Sequence, residues 1–311
     1  MTMKQPFDLG LSVRDDARDR RAVRRQFDRR SACPDPAAFL LREVGGRMLD
    51  RLDLIRSAPA RILDVGCGFG DDAKALALRY PSASVMALDF SLPRLQQARA
   101  TGQGITSGRW WQALRTRFQA RAMPAPEPFW LGADAHALPI AGHQLDLLWS
   151  NLALHWFDDV PAAISEWYRV IRPGGLVMFS ALGVDSLLEL QPLGLRLPRL
   201  PDMHDLGDAL VHAGFADPVM DTERLQLSWQ DPQRMMDDLR SLGGDVRPHR
   251  PAGLFTAHAR QALVQRLSAL CGPSPTPVTI ELVQGHAWCP AVKRLPQGWA
   301  PITLQPRAAG A

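Results

Sequence analysis

A short apolar strand that runs into a glycine-rich turn and then directly into a helix constrains this 311-residue chain more than any other feature. Arg61-Ile62-Leu63-Asp64-Val65 is the strand, and Gly66, Cys67, Gly68, Phe69 and Gly70 form the turn. Asp71 and Asp72 then open a helical pattern, where the partial positive charge of a helix N-terminus favours acids. Glycines let the backbone turn tightly and approach a ligand with no side chain between. A dinucleotide fingerprint, G-x-G-x-x-G, would need its last glycine where Asp71 stands. The pattern here is D-x-G-x-G-x-G.

Three further apolar runs close on polar residues. Ser84-Val85-Met86-Ala87-Leu88-Asp89 reads as a second buried strand, and a carboxylate at its end can accept both hydroxyls of a ribose. Phe129-Trp130-Leu131-Gly132-Ala133-Asp134-Ala135 and Leu145-Asp146-Leu147-Leu148-Trp149-Ser150-Asn151 repeat the form. Taken singly, Asp89 or Asp134 is a solvated turn or a helix cap. Taken together they describe one crevice, because open α/β sheets bind ligands outside the carboxyl ends of their strands.

This arrangement resembles class I S-adenosylmethionine-dependent methyltransferases, whose loop meets an amino acid and a ribose with no pyrophosphate to neutralise. The resemblance implies an α/β fold with a Rossmann-like seven-stranded sheet. It makes Asp64, Gly66, Cys67, Gly68, Gly70, Asp89, Phe90, Asp134, Ala135 and Asn151 the candidates for holding S-adenosylmethionine. Asp134 would meet the adenine amino group. Cys67 reads as a small apolar filler, not a nucleophile.

Composition narrows the class. Hydrophobic residues make up 46% of the chain and charged residues 22%, enough for a sizeable core. Cys33, Cys67, Cys271 and Cys289 form no C-x-x-C pair, which excludes a zinc ribbon and fits a reducing cytoplasm. No histidine pair has metal-ligand spacing, so no metal is expected. A net charge of +4 carries no nucleic-acid signature, and no apolar run is long enough for a membrane span.

Along the chain, residues 1–58 read as a loose lead-in followed by a helical lid. The stretch from Arg14 to Arg30 is dense in arginine and aspartate, with Ala22, Val23 and Phe27 at helical spacing. It is either a solvated, ion-paired helix or a lid over the crevice that offers positive charge to an acidic partner. Leu40, Val44, Met48 and Leu52 predict a helix over Phe39–Ile55. The main domain is expected over 59–290, with an inserted segment at about 101–128 that contains Trp110, Trp111, Arg109, Arg115, Arg117 and Arg121. Helices are predicted over Pro161–Ile171 and Met203–Gly214, and strands over Leu176–Ser180, Thr222–Trp229 and Val278–His286. Residues 291–311, rich in Pro, Gly and Ala, read as a flexible tail.

A narrower resemblance rests on Ser150-Asn151-Leu152-Ala153-Leu154-His155-Trp156, on Asp202–Leu210 with Ala213–Pro218, on Gly285-His286-Ala287-Trp288, and on Val23-Arg24-Arg25-Gln26-Phe27-Asp28. These are similar to the biotin-pathway malonyl-[acyl-carrier protein] O-methyltransferases over roughly residues 20 to 290. The resemblance implies methyl transfer to the free carboxylate of a malonyl thioester, with an acidic carrier protein as partner. Asn151, His155 and Trp156 are then candidates for positioning the substrate, and Arg24 or Arg25 for pairing its carboxylate. Family members often carry Gln where His155 stands and a tyrosine where Ser31-Ala32-Cys33 follows the lid. The alternatives are methylation of another small acid, a quinone precursor or a protein side chain. A further one is a cofactor-binding assembly factor or hydroxylase like the mitochondrial complex I relative, which the His155–Trp156 pair and the Phe39–Asp50 block also resemble.

Overall fold

Strands β1 (Arg61–Val65), β2 (Ser84–Asp89), β3 (Phe129–Gly132), β4 (Leu145–Ser150) and β5 (Ile171–Leu182) run parallel in the computed structural model. With β6 (Ala216–Leu227) and β7 (Val278–Trp288) they form one sheet in the order β3-β2-β1-β4-β5-β7-β6, with β7 antiparallel to both neighbours. The structure describes residues 20–31, 37–55, 57–101, 116, 126–193, 200–243 and 257–291. The expected lead-in (1–13), most of the insertion, including Trp110, Trp111, Arg109, Arg115, Arg117 and Arg121, and the tail beyond 291 lie outside the described residues.

Both faces of β1, β2, β4 and most of β5 are buried, so they read as nearly unbroken apolar runs, whereas β3 is the exposed edge. Ile62, Leu147, Trp149, Leu176 and Met178 join a core against α2 (Ala38–Leu54) and α3 (Asp71–Arg79). Leu63, Val65, Leu148, Val177 and Phe179 face a second core with α5 (Val160–Val170) and α6 (Met203–Ala213). The period-two alternation of the pleat divides these residues between the layers. Before them come α1 (Arg20–Arg30), which precedes α2, and α4 (Leu92–Thr101), which follows β2.

Two strands begin earlier than the sequence pattern predicts. Arg172-Pro173-Gly174-Gly175 was expected to separate helix from strand, yet β5 already pairs Ile171 with Leu145. A register shift before Leu147 takes up the extra residues, the device by which a sheet tolerates proline. At β6, Ala216 pairs with Trp288 across a similar irregularity around Asp217 and Pro218. Helices α7 (Pro232–Gly243) and α8 (Ala257–Leu267), between β6 and β7, are absent from the sequence reading. Leu227 pairs with Val278, and Leu282 lies opposite Leu182 at the carboxyl end of β5. The chain therefore leaves and re-enters the sheet on the ligand edge.

At the opposite edge one carboxylate ties three strands. Asp146 of β4 accepts the amides of Ala60 (3.0 Å) and Arg61 (2.7 Å) at the start of β1, and pairs with Arg172 of β5. Burial alone would raise its pKa, but Arg172 and the two amides hold it below the ordinary aspartate value. Such a group stabilises the fold above the unfolded pKa, and that stability is lost as pH falls through the folded one. Asp146→Ala is expected to cost roughly 2 kcal/mol in urea unfolding at pH 7. The deficit against wild type should shrink steadily below about pH 4.

Candidate functional site

The strand order reverses between β1 and β4, so their carboxyl ends open the crevice expected at such a switch point. The glycine loop fills one side. Gly66, Gly68 and Gly70 all take positive φ, of 75°, 55° and 77°. They serve different ends. A Cβ on Gly66 would fall onto the methyl group of Ala153, and one on Gly70 onto the Trp130 indole, so these two admit neighbours behind the loop. Gly68 faces more open space, its nearest neighbour being Arg94 Nη1 at 3.6 Å from an added Cβ.

Loop and second strand are locked together. The amides of Gly66 and Cys67 donate to the Leu88 carbonyl, at 2.8 and 3.0 Å. Asp89 accepts from Gly68 N (2.9 Å) and Ser91 N (2.8 Å), one amide on each oxygen. A carboxylate has about four lone-pair sites, so capacity for a ligand's hydroxyls remains. Phe90 lies beside it under the lid, and Cys67 is a free thiol pushed upward in pKa by burial, in keeping with a filler.

Asp64 is 1% exposed, and its Oδ2 has no hydrogen-bond partner. Burial raises its pKa well above the usual range, and the nearby charges of Asp72 and Asp89 raise it further. Asp72 is the residue whose role the sequence hid. It opens α3 as expected, but it is buried, accepts from Trp149 Nε1 at 3.0 Å and from Asn151, and titrates at about 6 chiefly because of burial. Gly45 of α2 makes room for it, since a Cβ there would meet Asp72 Oδ1. Three buried carboxylates thus converge at the loop. A ligand bearing positive charge beside vicinal hydroxyls fits this set, because it relieves their repulsion and fills the vacant acceptor on Asp64.

The remaining candidates divide. Asn151 donates to the Leu41 carbonyl (2.8 Å) and accepts from Ser180 Oγ (2.8 Å), so its amide braces α2 against β4 and β5. His155 is buried, with Nδ1 3.4 Å from the Leu182 amide that donates to it, which puts the ring proton on Nε2. Its ring lies beside Trp156, at 5.6 Å. Asp134 caps the turn above Ala135, accepting from His136 N at 2.9 Å and pairing with His136 Nδ1 at 2.8 Å.

Helix α1 lies across these strand ends, so the lid alternative describes it better than a free solvated helix. Phe27 meets Phe90 (5.6 Å) and Trp156 (4.9 Å) edge-on, and Asp28 accepts from Ser91 Oγ at 2.7 Å. Arg20 pairs with Asp158 (2.6 Å) and Asp134 (3.3 Å), while His136 Nε2 reaches Asp158 at 3.1 Å. Burial opposes the charge on Asp158, yet His136 and Arg20 bring it down to about 2. Arg24 and Arg25 are on the exposed side of the lid, Arg24 in a loose pair with Asp28 at 3.8 Å. No signal in the sequence tied Arg20 to Asp134 and Asp158, because the three are brought together only by the sheet.

Sheet order, glycine loop and the row of strand-end acids define a class I methyltransferase. A methyltransferase domain family matches residues 63–179. The malonyl-[acyl-carrier protein] O-methyltransferase of Gallionella capsiferriformans (strain ES-2) is 41% identical over 280 residues, 88% of this chain and 92% of that protein. Its namesake in Laribacter hongkongensis (strain HLHK9) is 41% identical over 300 residues, 93% of this chain and 97% of its own. The chain belongs to the malonyl-[acyl-carrier protein] O-methyltransferase family. The YcgJ protein of Bacillus subtilis, at 14% identity, shares the fold with a TM-score of 0.55, over 79% of this chain and 99% of that one.

The buried acids carry a stability consequence. A carboxyl whose folded pKa is raised stabilises the fold below its unfolded value, and that stability is lost as pH rises through the folded pKa. Asp64→Asn keeps the shape, and the side-chain carbonyl can still accept from the Ala73 amide, while one negative charge is removed. The ligand-free variant should melt higher than wild type at pH 7.5, and the difference should vanish toward pH 4. A lower melting temperature at pH 7.5 would contradict this account of Asp64.

Proposed function

We propose that this protein methylates the free carboxylate of malonyl-acyl carrier protein, with S-adenosylmethionine as methyl donor, in the opening of biotin synthesis. The carrying observation is the buried, partnerless Oδ2 of Asp64 beside two further buried acids at the glycine loop. It matches the ammonium of an amino-acid ligand, and family membership supplies the acceptor. Bound S-adenosylmethionine contributes a methyl group already activated by its sulfonium.

The chain's own residues do the rest. In this reading Asp64 and the loop of Gly66, Cys67, Gly68 and Gly70 hold the amino-acid end, and Asp89 accepts the ribose hydroxyls beside Phe90. Asp134 and Ala135 border the adenine, and Asn151 shapes the crevice from behind. Phe27 with Phe90 and Trp156 excludes water from the region the methyl group must cross, and His155 fixes the Trp156 side of it. A malonyl carboxylate is ionised at neutral pH, so no residue need take a proton. Positioning in a dry site is the chain's main contribution. The ester so formed carries no charge, which lets an apolar elongation pocket accept it.

Partner and setting follow from the same reading. Lid arginines on the outer face, Arg24 and Arg25, suit an acidic carrier protein. Among the described residues no helix is long and apolar enough to cross a membrane, none of the cysteines is in a disulfide, and no metal-binding cluster occurs. A cytoplasmic setting belongs to the same reading, since biotin-pathway carrier chemistry is its context.

Labelled S-adenosylmethionine incubated with malonyl-carrier protein should yield base-labile label on the carrier, and acetyl-carrier protein should yield none. Equal labelling of both, or none with the malonyl thioester, would sink the assignment. Charge-neutral replacement of Arg24 and Arg25 together should raise the Michaelis constant for the carrier substrate severalfold and spare cofactor affinity. Unaltered kinetics would remove these arginines from carrier recognition.

A further inference from the structure

A guanidinium is seldom buried, yet Arg94 of α4 is only 7% exposed. Its Cζ lies 4.3 Å from the Phe27 ring centroid and 4.9 Å from that of Phe69. Phe27 belongs to α1 and Phe69 to the glycine loop, so a single planar cation contacts both walls of the site. Stacking on an aromatic face is a property of the guanidinium that an ammonium reproduces poorly. The same Phe27 ring touches Phe90 and Trp156. Displacing it would therefore open the crevice on two sides.

We propose that Arg94 is a positioning residue that fastens the lid helix to the glycine loop, so that lid docking and the conformation of the cofactor loop are one event. The charge of Arg94 has a second effect, on Asp89. The groups that face Asp89 are Asp28 from α1, Asp64 from β1, Cys67 of the loop, Arg94 from α4, and the amides of Gly68 and Ser91. Burial and Asp28 push Asp89 toward its neutral form, and Arg94 with the two amides pulls it back. Arg94 is the cation of that set, and it favours the ionised form of Asp89 that accepts hydroxyls. This second effect rests on the cofactor reading above, and the fastening of the lid does not.

The test uses trypsin and calorimetry. Helix α1 is rich in arginine, so its cleavage reports undocking of the lid. In ligand-free Arg94→Met, cleavage within α1 should quicken severalfold while the rest of the domain stays resistant. S-adenosylhomocysteine should bind roughly tenfold more weakly at pH 7.5, the size expected for losing a desolvated cation from the site. Its affinity should also begin to fall at a higher pH on acidification than in wild type, because Asp89 then protonates sooner. Arg94→Lys should restore the wild-type pH profile but not the protection of α1, and Phe27→Leu should lose protection with the profile unchanged. Unchanged α1 cleavage in Arg94→Met overturns the proposal, as does cleavage that rises evenly along the chain, or Arg94→Lys that protects the lid as wild type does. If wild-type protein fails to bind S-adenosylhomocysteine, the cofactor reading and the Asp89 effect fall. Cleavage of the ligand-free variants still decides the link between loop and lid.

Discussion

Like charges held together in a dry place are what the rest of this molecule is arranged around. Asp64, Asp72 and Asp89 are all buried, and Asp64 feels the charge of both of the others. Parallel register forces the approach. Asp64 pairs with Ala87 and Val65 with Leu88, so the ends of β1 and β2 coincide and their acids share one edge. The free energy of that repulsion is supplied by the two apolar layers that enclose the sheet. A ligand that brings positive charge releases it, which links binding to stability in the sense of mass action.

Much of this was legible in the chain. The β1 loop, the four strand-end polar residues and the sheet class follow from runs such as Ile62–Val65 and Val85–Leu88, whose apolar character reflects burial on both faces. The end of α6 was legible too: Gly214 stops it with φ of 107°. Irregular pairing was not. Pro173 read as a break and the segment around Pro218 was left out of the predicted strand, because local propensity cannot show a neighbouring strand whose register shift absorbs them. Helices α7 and α8 escaped for a related reason. They bury Met235, Met236, Leu242 and Leu267 in the same core as Val278, Ile280 and Leu282 of β7, an environment that only the assembled sheet provides.

The site was less legible than the fold. Residues at fixed offsets from a strand end, such as Gly68 or Asp89, declared themselves. Residues that act by tertiary approach did not. Asp72 read as a partner for a helix dipole, and only the Trp149 indole and the Asn151 amide show that it is buried. The hydrogen bonds of the Asn151 amide to the Leu41 carbonyl and Ser180 Oγ were equally hidden. Arg94 and Arg20 sat among many arginines, and composition could not single them out.

The detour between β6 and β7 has a bearing on how such a chain can change. Residues 228–277 leave and rejoin neighbouring positions, since Leu227 pairs with Val278, and the junction lies at the same rim as the end of β5. An excursion anchored at one point is free to lengthen, shorten or be re-lettered with little strain on the register of β1 to β5. The crevice at the ends of β1, β2 and β4 can therefore keep its shape while that excursion varies, since the two share a rim but not a register.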